Sequence, residues 1–197
     1  RGMERGAISR QNPEPASKVK KNRRILLVIN SVIPRQSTMP SLVGFSLRQA
    51  RTELMANGLN IGRLIYKEDI ATNNVLGQQY KGQDIAPGTR INSGTSIDLI
   101  LGLNPADSIT YVPNVIGYRY QMASELLHDN SLNIYDCEFD NTVSDYSDSL
   151  EAYVYGQYPP ASDSVSVRIG SPVTLYLSKD VTRIPVPEPD STDAELR

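Results

Sequence analysis

The 197-residue sequence carries one histidine, His128, and one cysteine, Cys137, so any catalytic chemistry would have to be built on very few reactive groups. A Ser-His-Asp relay or a histidine-rich metal site needs partners that the sequence does not supply. Beside Asp129 on a helical stretch, His128 reads as a surface histidine. Tyr135, Cys137 and Phe139 alternate with Asp136, Glu138 and Asp140, which puts the thiol on the apolar face of a strand. A buried structural thiol is expected there, and a lone cysteine forms no intramolecular disulfide. From Asp140 to Glu151, oxygens fall at positions 1, 3, 5, 9 and 12, the spacing of a calcium loop. Asp145, however, takes the sixth place, where glycine makes the sharp turn, and the flanks read as strands. An acidic, solvated loop without metal is the expectation.

Two further clusters could bind rather than react. Lys18, Lys20, Lys21, Arg23 and Arg24 form a basic run without interleaved aromatics, which argues against nucleic acid. The run suits either an anionic membrane surface or a solvated strand edge guarded by lysines. Tyr153, Tyr155 and Tyr158, with Tyr118 and Tyr120 nearby, would suit a sugar or peptide face, and core packing competes for the same residues. Tyr153, Tyr155 and Tyr158 are therefore the candidate ligand-binding residues. With no phosphate-cradling glycine loop and no nucleophile elbow, the expectation is a non-enzyme without cofactors.

Positioning these residues is the work of a repeat. Met39-Pro-Ser-Leu-Val-Gly44 matches Val112-Pro-Asn-Val-Ile-Gly117 at an offset of 73, which also carries Ala50 to Ala123, Leu54 to Leu127 and Leu59-Asn60-Ile61 to Leu132-Asn133-Ile134. Further on, Val75-Leu-Gly-Gln78 matches Val154-Tyr-Gly-Gln157, and Ile97-Asp-Leu99-Ile-Leu101 matches Val173-Thr-Leu175-Tyr-Leu177. A partial copy precedes them. Ile25-Leu-Leu27-Val-Ile29 lines up with 97–101, and Pro15-Ala-Ser17 with Pro87-Gly-Thr89. The expected organisation is the back half of a first unit over 1–31, a second unit over 32–105, a third over 106–181, and an acidic, Pro-rich tail over 182–197. The chain opens Arg1-Gly2-Met3, so it reads as a piece of a longer one, with the front half of the first unit upstream.

Within a unit, the Pro-x-φ-φ-Gly opening is extended and then turns. Ser46 and Gln49 make a capping box, and Leu47, Ala50 and Leu54 form one stripe, predicting a helix from about Leu47 to Asn57 with Gly58 ending it. Tyr120, Ala123 and Leu127 repeat the stripe, with Arg119 a poorer cap. Strands follow, so each unit is one helix on a small three-stranded sheet, an α+β fold. Linkers 31–38 and 103–108 suggest beads in an extended array. Charge is graded along it, +6 over 1–31, +2 over 32–105 and −10 over 106–197.

The ordered set resembles the PASTA domain, the repeat associated with penicillin-binding proteins and serine/threonine kinases. The residues that carry the resemblance are the openings Pro40–Gly44 and Pro113–Gly117, and the helix ends Asn57-Gly58-Leu59 and Asn130-Ser131-Leu132. Gln11-Asn-Pro-Glu-Pro-Ala16-Ser-Lys-Val19 stands where the family has Q-x-P-x-P-G-x-x-V, and strands close before Asn30-Ser31, Gly102 and Ser178. The third unit departs from the pattern, with Asp163-Ser-Val-Ser-Val167 in place of Pro-Gly and a long segment Asp140–Ala152. The resemblance implies non-catalytic, extracytoplasmic modules of the repeat-only type, tethered by an N-terminal transmembrane helix outside this sequence. It implies contact with peptidoglycan fragments or cell-wall proteins. A structural spacer, or the extracellular part of a PASTA kinase or penicillin-binding protein, are the alternatives.

Overall fold

The computed structural model describes residues 7–29, 35–144 and 146–185. Linker residues 30–34, Asp145 and the tail from 186 onward lie outside the described residues. The strands and helices, in order, are β1 (Ile8–Asn12), β2 (Leu26–Ile29), β3 (Gln36–Thr38), α1 (Leu47–Ala56), β4 (Asn60–Glu68), β5 (Val75–Tyr80), β6 (Gln83–Asp84), β7 (Arg90–Asn92), β8 (Ser96–Leu103), β9 (Ile109–Val112), α2 (Tyr120–Asp129), β10 (Asn133–Phe139), α3 (Tyr146–Glu151), β11 (Tyr153–Tyr158), β12 (Ser162–Arg168) and β13 (Pro172–Ser178).

The second and third units have the same plan. In each, the closing strand is central. β8 runs parallel to β4 and antiparallel to β5, and β13 runs parallel to β10 and antiparallel to β11. The helix lies on one face. Leu47, Ala50 and Leu54 of α1 are buried, as are Ala123 and Leu127 of α2. Each unit also holds a two-stranded ribbon, β3 with β7 and β9 with β12, that ties the opening segment to the turn before the closing strand. The second unit adds β6 as an outer strand on β5.

Two separate cores result, and they match position for position. Ala50, Leu54, Leu59, Val75, Ile97, Leu99 and Leu101 fill one, and Ala123, Leu127, Leu132, Val154, Val173, Leu175 and Leu177 fill the other. Full burial of such side chains, each contributing about 1.5–3 kcal/mol, is the main stabilising term.

The capping box forms as expected, Ser46 Oγ accepting from Gln49 N at 3.3 Å and Gln49 Oε1 accepting from Ser46 N at 3.0 Å. Arg119 makes no side-chain cap on α2. Both helices end in a left-handed residue. Gly58 has φ +66°, and Ser131 accepts φ +59° in the equivalent place.

A third feature, common to both units, is a buried glutamine. Gln78 Oε1 accepts from Leu42 N at 3.1 Å, and its Nε2 donates to Pro40 O at 3.2 Å and Ile85 O at 3.0 Å. Gln157 does the same with Val115 N at 2.8 Å, Pro113 O at 3.0 Å and Pro159 O at 3.3 Å. One amide thus satisfies backbone groups of the Pro-x-φ-φ-Gly opening, which belongs to no ladder of its own at that point.

Three expectations change. Segment 103–108 is no free linker. Pro105–Asp107 is a 3₁₀ turn, with Thr72 Oγ1 donating to Asp107 Oδ2 at 3.0 Å and Asn104 Nδ2 donating to Ile70 O at 3.1 Å. The loop after Asp140 contains α3, because Asp148 accepts from Ser144 N at 2.9 Å and from Lys179 Nζ at 2.6 Å. The start of the tail is held too. Val181–Arg183 forms a 3₁₀ turn capped by Asp180, and Arg183 pairs with Asp140, so residues 182–184 belong to the third unit.

Candidate functional site

The second and third units meet through backbone as well as side chains. β4 is an outer strand, and Leu64 turns its N–H and C=O away from β8. Asn133, the first residue of β10, takes both: its Oδ1 accepts from Leu64 N at 2.8 Å and its Nδ2 donates to Leu64 O at 3.0 Å. The same Nδ2 donates to Gly170 O at 3.0 Å, so the amide is itself oriented from within the third unit. Beside it Tyr66 O–H donates to Asn73 Oδ1 at 2.7 Å, and Asn73 Nδ2 donates to Ser131 Oγ at 2.9 Å. Burial pushes the Tyr66 phenol up to about 12, so it stays a donor. A Cβ at Gly170, whose φ is +82°, would stand 3.0 Å from the Tyr66 ring, so a larger residue there would strain the backbone and press on the ring where the two units meet. On the helix side Arg51 bridges to α2, donating to Asp129 Oδ1 at 2.8 Å and Glu125 O at 3.3 Å.

Between these anchors lies a cleft of about 320 Å³. Arg51, Met55, Asn60, Ile61 and Ser96 line it from the second unit, and Tyr120, Gln121, Ser124, Glu125, His128 and Leu150 from the third. Met55, Tyr120 and Leu150 expose apolar surface there, and Asn60, Gln121, Ser124 and Glu125 offer donors and acceptors. Such a mixture can seat a small ligand by shape and a few polar contacts, without chemistry.

His128 is not on the surface, contrary to expectation. It is 5% exposed, and burial, reinforced by the Arg51 charge, pushes its pKa down to about 4. It is therefore neutral in the folded chain at neutral pH. A depressed base favours the folded state above its unfolded value of 6.5. That contribution is lost as pH falls through 4, because the unfolded chain binds the proton more readily. Urea midpoints should accordingly drop between pH 7 and pH 4.5 by the equivalent of about 2–3 kcal/mol. His128→Leu should flatten that slope, and an equal slope in the variant would remove His128 as its source.

Cys137 is half-buried, and burial followed by the Asp136 charge pushes its thiol up to about 11, which leaves it a poor nucleophile. Among the described residues no group of three or more His, Cys, Asp or Glu is placed to hold a metal. Asp140, first in the calcium-like spacing, accepts from Thr142 N and Oγ1 and from Arg183, and the Thr142 hydroxyl above all holds its carboxyl well below the usual range.

Comparison with known proteins finds the same two copies in the sequence. The sequence model of the PASTA domain matches residues 37–102 and 110–179, more than half of the chain. The chain belongs to the PASTA family. A probable serine/threonine-protein kinase of Clostridium acetobutylicum is 30% identical over 136 residues, which are 68% of this PASTA chain and 20% of the kinase. The chain thus spans about a fifth of that relative. Among solved structures, the entire extracellular region of the Ser/Thr kinase PrkC from Staphylococcus aureus aligns with 87% of this chain and 56% of its own, at 19% identity and TM-score 0.37. Penicillin Binding Protein 2X from Streptococcus thermophilus aligns with 76% of this chain and 17% of its own, at 10% identity and TM-score 0.31.

Tyr153, Tyr155 and Tyr158 all lie on β11 of the third PASTA unit, away from the inter-unit cleft. Arg119 sits over the Tyr153 ring at 5.3 Å and donates to its hydroxyl at 3.3 Å. Arg183 covers the Tyr155 ring at 4.0 Å, with Tyr176 centred 6.3 Å away. Two of the three rings thus have an arginine partner within the PASTA unit, and Tyr158 is the most exposed. Tyr120, by contrast, lines the cleft. The residues sequence reasoning missed are Asn133 and Arg51. Asn133 was visible as a polar residue repeated between two repeated apolar ones.

Proposed function

We propose that this chain is a non-catalytic binding segment on the extracytoplasmic side of a bacterial envelope, taking a peptidoglycan fragment or a wall-bound protein in the cleft between its second and third units. The observation that carries this reading is the cleft itself. Its volume of about 320 Å³ falls at the lower end of small-ligand sites, roughly 300–1,000 Å³. Its two walls come from units locked together by Asn133 and Arg51, so a ligand meets a preformed surface. The kinase relative, of which the matched residues make up a fifth, supports placing such units in a longer protein. Among the described residues no helix is long and apolar enough to cross a membrane.

Retention on purified wall sacculi tests the proposal. Ser124, half-buried on α2, lines the cleft, and Ser124→Trp fills it without touching either core. Retention should fall at least tenfold, about 1.4 kcal/mol. Retention equal to that of an unrelated acidic protein, or unchanged by Ser124→Trp, would count against the cleft.

The same lock favours a second reading, a spacer that holds a partner at a set distance from the membrane. Small-angle scattering would then give one particle length with and without wall fragments, and a fragment-dependent change would oppose it. The basic run Lys18–Arg24 lies in the exposed loop joining β1 to β2, which suits an anionic membrane surface at roughly 1 kcal/mol per basic residue. Liposomes containing anionic lipid should retain the chain in preference to neutral ones, and equal retention would exclude this contact.

A further inference from the structure

The two complete units differ in what lies on the sheet face turned away from the helix. That face is built from matching residues. Ile100 alternates with the core residues Leu99 and Leu101, as Tyr176 does with Leu175 and Leu177. Gly77 pairs with Ile100 as Gly156 pairs with Tyr176, and Leu76 is the counterpart of Tyr155. At the offset of 73, Val43-Gly44 corresponds to Ile116-Gly117 and Lys67 to Asp140. In the third unit the chain that follows β13 covers this face. Arg183 pairs with Asp140 and lies 4.0 Å over the Tyr155 ring, and Ile184 comes within 3.8 Å of where a Cβ on Gly117 would stand.

In the second unit, among the described residues, no segment takes that place. The chain leaves β8 through the 3₁₀ turn Pro105–Asp107, which is held at Thr72 and Ile70. A Cβ on Gly44 would meet nothing within 4 Å, and Val43 is 58% exposed where Ile116 is half-buried. A groove of about 440 Å³ remains, floored by Leu76, Gly77 and Ile100 and walled by Val43, with Lys67 at the β4 edge and Asp84 at the β6 edge. It shares no lining residue with the cleft between the units.

We propose that this groove is a docking site for an extended segment of a partner protein in which an acidic residue is followed by an aliphatic one. The third unit shows the seating, with the charged Arg183 at the sheet edge and Ile184 at the glycine of the opening. The second unit inverts the charge. Where Asp140 receives an arginine, Lys67 presents an exposed cation that, among the described residues, pairs with no carboxylate. The floor changes in the same sense. Leu76 and Ile100 replace the rings of Tyr155 and Tyr176, which removes the aromatic partner of a guanidinium and leaves a surface for aliphatic contact. Asp84 does not oppose an acid at Lys67, because β8 and β5 lie between their strands, three spacings or about 14 Å. Its Oδ1 also accepts from Gln79 Nε2 at 2.8 Å.

Two end-blocked peptides test the site by nitrogen-15 NMR titration of the whole 197-residue chain. One is Asp-Val-Thr-Arg-Ile-Pro, the sequence of residues 180–185, and the other is the same peptide with Arg183→Glu. At millimolar concentration the glutamate peptide should shift the amides of Gly44, Lys67, Leu76 and Gly77, and it should bind at least tenfold tighter than the arginine peptide. Lys67→Asp, at an exposed position, should reverse that order while the core resonances of Leu54 and Leu59 stay in place. No shift from either peptide, equal binding of both, shifts confined to Tyr120 and Ser124 in the cleft, or an order that survives Lys67→Asp would overturn the proposal. Tighter peptide binding after removal of residues 186–197 would assign the groove to the chain's own acidic end and equally overturn it.

Discussion

Gln78→Leu is expected to unfold the second unit while leaving the third intact. The side chain is 5% exposed and satisfies three backbone groups, on Leu42, Pro40 and Ile85. Leucine fills the same space but makes none of these bonds. The buried Leu42 N–H, left without a partner, costs about 1–3 kcal/mol, and the two part-buried carbonyls lose about 0.5–1.5 kcal/mol each. A domain of this size holds only about 3–5 kcal/mol in reserve. The opening segment would detach first, since Gln78 joins it to β5, and Met39 and Leu42 would leave the core with it. Two-dimensional NMR spectra should lose the dispersed resonances of residues 36–103 and keep those of 120–178. A variant whose urea midpoint moves by the equivalent of less than about 1 kcal/mol would show that the glutamine is incidental.

Asn133→Leu is expected to free the second and third units from one another. Three bonds are lost, two of them to Leu64 of the neighbouring unit, at about 0.5–1.5 kcal/mol each. Leu64 N–H and C=O sit at a sheet edge and can turn to water, so neither unit should unfold. What goes is the coupling, about 2 kcal/mol, and with it the shape of the cleft. Nitrogen-15 relaxation should report one rotational correlation time across both units in the parent and two shorter ones in the variant. A single unchanged value in the variant would assign the lock to Arg51 and Tyr66 instead.

Much of each unit was legible because its rules are local. The stripe of Leu47, Ala50 and Leu54 fixed α1 to within a residue, and the Ser46–Gln49 pair formed the box its spacing required. Repetition made Gln78 and Gln157 visible, but their partners lie 36 to 44 residues away at one end, and no periodicity reports a contact over that distance. His128 was misplaced for a related reason. Its neighbour Leu127 faces its own core, so the residue beside it reads as outward, yet outward on α2 includes the direction of Arg51 in the second unit. The three tyrosines share one strand, and the arginines that cover two of them are Arg119 and Arg183, at opposite ends of the third unit. Burial between units and long-range pairing of side chains are set by how copies sit together, which a pattern within one copy does not encode.

The grip of Asn133 on Leu64 also bears on how separate molecules behave when packed closely. An outer strand with bare amide and carbonyl groups invites strands from strangers, and growth from such a border is the route to fibrils. Here an asparagine offers the one donor and one acceptor that an invading strand would bring, yet its own backbone runs on into a different sheet. Each added unit thus stops the sheet before it rather than continuing it, and the polypeptide can lengthen copy by copy without zippering onto its neighbours.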